Sequence, residues 1–88
     1  MFDRAGLWLN LAADGFEVMD VIAGGPAARA GLGVGDRIVA VNGRPASGLS
    51  LPALRVRFKT DPPGTRVRLR VVSGGKQRQA VLVLCDLV

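Results

Sequence analysis

GGPAARAGLGVGDRIVAVNG, residues Gly24–Gly43, sets glycines and one proline around a single short apolar run. Glycine-rich loops sometimes cradle phosphates, so a nucleotide site is the first possibility to test. A dinucleotide fingerprint needs G-x-G-x-x-G opening a long helix, and a P-loop needs a terminal Gly-Lys-Ser/Thr. Neither occurs. Gly31-Leu32-Gly33-Val34-Gly35-Asp36 leads into the apolar run Arg37–Val41, so no helix N-terminus would face an anion there. The residues instead describe scaffold. Gly25 and Pro26 suit the start of a short helix, Gly31 its left-handed end, Gly35-Asp36 a turn into a strand, and Asn42-Gly43 the tight turn that closes it.

The flanks extend the pattern on both sides. In Gly6–Ile22, GLWLNLAADGFEVMDVI, Leu7, Leu9 and Leu11 alternate with Trp8 and Asn10. Asp14-Gly15 offers a turn, and Phe16, Val18 and Val21 resume the apolar pattern, which predicts a hairpin. Downstream, Ser50 suits an N-cap with Pro52 in the first turn, and Leu51, Leu54, Arg55 and Phe58 share one side at helical spacing. Asp61-Pro62-Pro63-Gly64 forbids continuation. Thr65–Val72 and Gln77–Leu84 then form a second hairpin about Gly74-Gly75. The predicted order is strand, strand, helix, strand, helix, strand, strand.

Composition narrows the function. The 88 residues suit one small domain, and no apolar run approaches the roughly 20 residues of a membrane-crossing helix. The chain has no histidine and a single cysteine, Cys85, which excludes imidazole-based nucleophile pairs, imidazole metal ligands and an internal disulfide. Its apolar neighbours suggest a buried strand thiol. The carboxylates stand apart at turns and strand ends, with no pair spaced to share a proton or metal. The inventory favours a module that binds over one that reacts, with no cofactor.

The formal net charge is +5, with Arg44, Arg55, Arg57, Lys59, Arg66, Arg68, Arg70, Lys76 and Arg78 in the second half. A nucleic-acid surface would explain this asymmetry. However, Arg66, Arg68 and Arg70 alternate with Val67, Leu69 and Val71, the period of a strand with one wet face, and the aromatics needed for base stacking are scarce. A solvated strand face accounts for the row without a nucleic-acid partner.

Assembled, residues 21–45, VIAGGPAARAGLGVGDRIVAVNGRP, resemble the central signature of PDZ domains, and the likeness continues through the second helix to PPGTRVRLRVV at 62–72. The resemblance implies an α+β fold, a small partly open β-barrel of five to six strands with two helices. The chain begins almost at the family's peptide-binding loop and ends on an extra strand, 77–84. This is similar to the circularly permuted bacterial domains attached to envelope proteases of the serine, tail-specific, site-2 and aspartyl types. It implies residues 1–88 as a single domain excised from a larger protein, a covalently attached protease domain, and a bacterial envelope or periplasmic location.

In that family a peptide adds as a strand to an exposed sheet edge beside a helix. Here the resemblance makes the edge Leu7, Trp8, Leu9, Asn10 and Leu11, and the helix 51–59. Arg4, Ala5, Gly6 and Leu7 would form the loop that captures a C-terminal carboxylate, with Arg4 in place of the family's first glycine. By alternation Leu7, Leu9 and Leu11 face the helix while Trp8 and Asn10 point away. Leu7 and Phe58 would line the pocket for the last peptide side chain, with Leu51 and Arg55 further along. Leu51, where some members carry a histidine that reads a hydroxyl, implies an apolar ligand side chain two positions from the end. Leu7, Leu51 and Phe58 could equally be ordinary core. The expected partner is a peptide or protein C-terminus, or an extended apolar segment. The alternative is a domain that positions an attached protease with its groove filled from within the parent protein.

Overall fold

A computed structural model describes residues 5–85. The glycine-rich stretch folds as its turn chemistry dictates. Helix α1 is one short turn, Pro26–Arg29, with Pro26 at its start and Gly31 beyond it at φ 83°. Strand β3 (Arg37–Val41) ends on the Asn42-Gly43 turn, both residues at positive φ (51° and 80°), and a two-residue strand β4 (Arg44–Pro45) returns against it. A 3₁₀ turn, Ala46–Gly48, follows before helix α2 (Leu51–Thr60). Strand β4 and the 3₁₀ turn are additions to the predicted order.

Strands β1 (Leu7–Ala12) and β2 (Gly15–Val21) form the first hairpin, and β5 (Arg66–Ser73) and β6 (Lys76–Val83) the second. The second turns on Gly74-Gly75, both left-handed. The first turns on Ala13-Asp14 and not on Asp14-Gly15, because Gly15 already pairs with Ala12. Glycine is required at 15 for another reason: a Cβ there would fall on the Ile38 carbonyl oxygen.

All ladders are antiparallel, in the order β1-β2-β3-β5-β6 with β4 on β3. The closing strand β6 pairs with β5 alone, so β1 and β6 are the two ends of the sheet path. Period-two patterning decides what is inside. Val67, Leu69 and Val71 are buried while Arg66, Arg68 and Arg70 are exposed. Phe16, Val18, Ile38, Ala80 and Leu82 join them, and α2 covers the cluster with Leu51, Leu54 and Phe58. Cys85 lies just past β6 and is half-buried, so it is not the buried strand thiol its neighbours suggested.

Candidate functional site

The edge of β1 is built by where its main-chain groups point. The Ile22 N–H donates to the Gly6 carbonyl at 3.0 Å, the bond that brackets Leu7 and Val21 as a pair not bonded to each other. Leu7 therefore turns its own N–H and C=O away from β2. Met19 bulges out of β2, since Trp8 faces Asp20 and Leu9 faces Val18. A bulge on the partner strand leaves the parity of β1 intact. Counting in steps of two from the hairpin turn, Leu9 also faces outward, and Arg55 of α2 donates to its carbonyl at 2.6 Å.

The loop before β1 is fixed by its carbonyls. That of Ala5 accepts from Ala27 N–H of α1 at 3.0 Å and that of Gly6 from Ile22, with Gly6 left-handed at φ 65°. Both carbonyls are thereby turned into the fold. Arg4, the expected charge at this loop, lies outside the described residues.

Helix α2 forms the opposite wall. Ser50 caps it, its Oγ accepting from Ala53 N–H at 3.3 Å, and Pro52 sits in the first turn. Leu51, Leu54 and Phe58 are buried, whereas Arg55 is only half-buried. Leu7 and Leu9 are each 3% exposed and Phe58 1%, all within one continuous core cluster. Both expected walls of the pocket for the last peptide side chain are thus core side chains. Clefts of about 410 and 470 Å³ lie elsewhere, one against β3, β5 and β6, the other behind α2 between Val41, Leu49 and Arg57. Neither includes a residue of β1.

Two edge residues depart from simple alternation. Leu11 lies on the same side of β1 as Leu9 but is 74% exposed, so it is not covered by the helix as expected. Trp8, on the opposite face and half-exposed, has the Arg55 guanidinium 5.0 Å from its ring centre. Its ring is therefore at the rim of the groove, not remote from it. Asn10 is exposed. The link joining Arg55 to Leu9, 46 positions away, and to the adjacent Trp8 left no trace in any local pattern of the chain. Among the described residues no cluster of His, Cys, Asp and Glu could hold a metal ion.

A strand edge with outward main-chain groups beside a helix, over a loop pinned by a short helix, is the architecture of a peptide-accepting sheet. The PDZ domain family model matches residues 17–73, and the chain belongs to that family. The periplasmic pH-dependent serine endoprotease DegQ of Escherichia coli is 37% identical over 67 residues, 76% of this chain and 14% of that protein. A DegP-like probable periplasmic serine endoprotease of Chlamydia trachomatis is 49% identical over 59 residues, 67% of this chain and 12% of that protein. Among solved structures, the PDZ domain of a carboxy-terminal protease from Vibrio cholerae, in complex with peptide, matches with a TM-score of 0.72 at 30% identity, over 93% of this chain and 92% of that one. The photosystem II D1 C-terminal processing protease gives a TM-score of 0.82 at 24% identity, over 98% of this chain and 24% of that one. The chain spans only 12–14% of the length of the curated relatives it matches. No described helix is long and apolar enough to cross a membrane.

Proposed function

We propose that this domain binds extended or C-terminal apolar segments by adding them as an antiparallel strand to β1, and serves as the substrate-recognition or regulatory domain of a bacterial envelope protease. The observation that carries this reading is the outward orientation of the Leu7 and Leu9 main chain beside α2. Family membership supports it, as do the peptide complex of the Vibrio cholerae domain and the periplasmic location of the DegQ and DegP-like relatives. Main-chain ladder bonds supply affinity, and Leu51 and Phe58 supply apolar selectivity once the walls part. Charge-assisted bonds from loop amides to a terminal carboxylate contribute on the order of 1.5 to 3 kcal/mol each. Titration with apolar peptides, followed by amidation of the best ligand, tests it. Amidation should weaken binding at least about tenfold, one such bond's worth, and amide shifts should map to Gly6–Leu11. Unchanged affinity after amidation would rule out carboxylate capture, and shifts confined to other elements would rule out strand addition.

The burial of Leu7 and Phe58 in the core favours a second reading, an intramolecular positioning domain that takes no free peptide. Under that reading no apolar peptide binds the isolated domain, while a tethered neighbouring segment does.

A further inference from the structure

The proposed groove is already occupied at one point by the protein itself. Arg55 projects from the middle of α2 to the edge of β1, where its Nη2 donates to the Leu9 carbonyl at 2.6 Å and its guanidinium sits over Trp8. That carbonyl is one of the outward groups an added strand would use, so the ligand N–H and Arg55 compete for the same acceptor. Arg55 is a charged fork held by a neutral carbonyl and a ring face, and among the described residues no carboxylate lies within ion-pair distance of it.

We propose that Arg55 is the gate and specificity residue of the β1 groove, released from Leu9 by a ligand bearing a carboxylate side chain next to the residue that pairs with Leu9. This inference rests on the strand-addition reading and deepens it. The position follows from strand geometry. A ligand residue directly opposite Leu9 sends its side chain to the same face as Leu9, toward α2 and Leu51, whereas its neighbours project to the other face, that of Trp8. The guanidinium already lies over the Trp8 ring. A short rotation carries its donors from the Leu9 carbonyl to a carboxylate there, and the cation–ring contact can persist. A planar fork donating two parallel bonds to a carboxylate exceeds a single bond to a neutral carbonyl, so an acidic ligand recovers what opening the gate costs. A neutral ligand strands the guanidinium without an equal acceptor and loses affinity by the closed fraction. The surrounding positive charge favours the same ligands at the encounter stage.

The test uses the 88-residue domain and free-acid apolar hexapeptides that carry Glu or Gln one residue before or after the position two from the C-terminus. Titration calorimetry should give the wild type a preference for Glu on the order of tenfold, one charge-assisted contact's worth. Arg55→Ala should abolish that preference and bind the Gln peptides several-fold more tightly than wild type, since nothing then competes for the Leu9 carbonyl. Equal binding of Glu and Gln peptides to the wild type would overturn the proposal while leaving strand addition standing, as would a Glu preference that survives Arg55→Ala. If no peptide of either kind binds wild type or variant, strand addition fails, and the gate with it. Arg55→Gln, which keeps the length of the side chain and removes its charge, repeats the comparison if Arg55→Ala folds poorly.

Discussion

Gly15 and Gly6 look alike in the sequence and are needed for different reasons. Gly15 is not left-handed; its hydrogen occupies the only space that the Ile38 carbonyl leaves. A methyl there forces β2 from β3, so Gly15→Ala should cost about 1–3 kcal/mol, as overpacking does, read from urea unfolding. A loss under half a kilocalorie would mean that the two strands separate easily. Gly6 is left-handed, and Gly6→Ala meets the steric cost of that region, about 1–2 kcal/mol. Its larger effect should be on peptide affinity, because Gly6 orients the Leu7 amide. The sequence offered Gly15 as a turn residue since Asp-Gly is a turn pair. Its real constraint comes from a carbonyl 23 positions away, which no local pattern encodes. Trp8 was legible as a residue pointing away from α2 but not as the neighbour of Arg55, for the same reason.

Helix α1 illustrates what an element borrows from its surroundings. Four residues with no side-chain N-cap bond cannot hold a helix alone. The carbonyls just past its C-terminus are held from the far end of the sheet: Arg78 of β6 donates to Ala30 at 3.3 Å and to Gly31 at 2.6 Å. The same guanidinium lies 3.7 Å from Asp36, whose carboxylate accepts from Gly33 N–H at 3.0 Å and Ser73 Oγ at 2.8 Å. Since α1 in turn holds the Ala5 carbonyl, this network supports the loop that begins the groove. Arg78→Ala should destabilise the domain by about 1–2 kcal/mol, within the range for lost bonds to a charged donor. It should also speed amide exchange at Ala27 and Leu32 more than in β5. Uniform acceleration would show that α1 and the sheet open as one unit. The hairpins, both helices and the Arg66–Arg68–Arg70 face followed from periodicity and turn chemistry alone. Arg78 read only as one more basic residue, and the Met19 bulge left no trace because a register shift belongs to a pair of strands.

At the scale of the molecule, core and proposed pocket are the same side chains. Phe58, Leu7 and Leu51 belong to the cluster that joins α2 to the sheet, so a ligand side chain entering there must part residues that now stabilise the fold. Phe58→Ala should cost about 3–5 kcal/mol, a large share of the 5–15 kcal/mol typical of a whole domain. Lost binding in that variant would therefore say little about contacts. The wild-type protein gives the cleaner measurement. A ligand that binds only the folded domain stabilises it by about 2.7 kcal/mol at one hundred times Kd. For a domain of this size that corresponds to a rise in Tm on the order of 10 °C. The outward Arg66, Arg68 and Arg70 row lies off both groove walls, and exchanging all three for Gln should leave this rise within a few degrees while changing the net charge from +5 to +2. If the rise instead vanished with those arginines, the ligand would be held by the solvated face of β5, and the edge of β1 would not be the site.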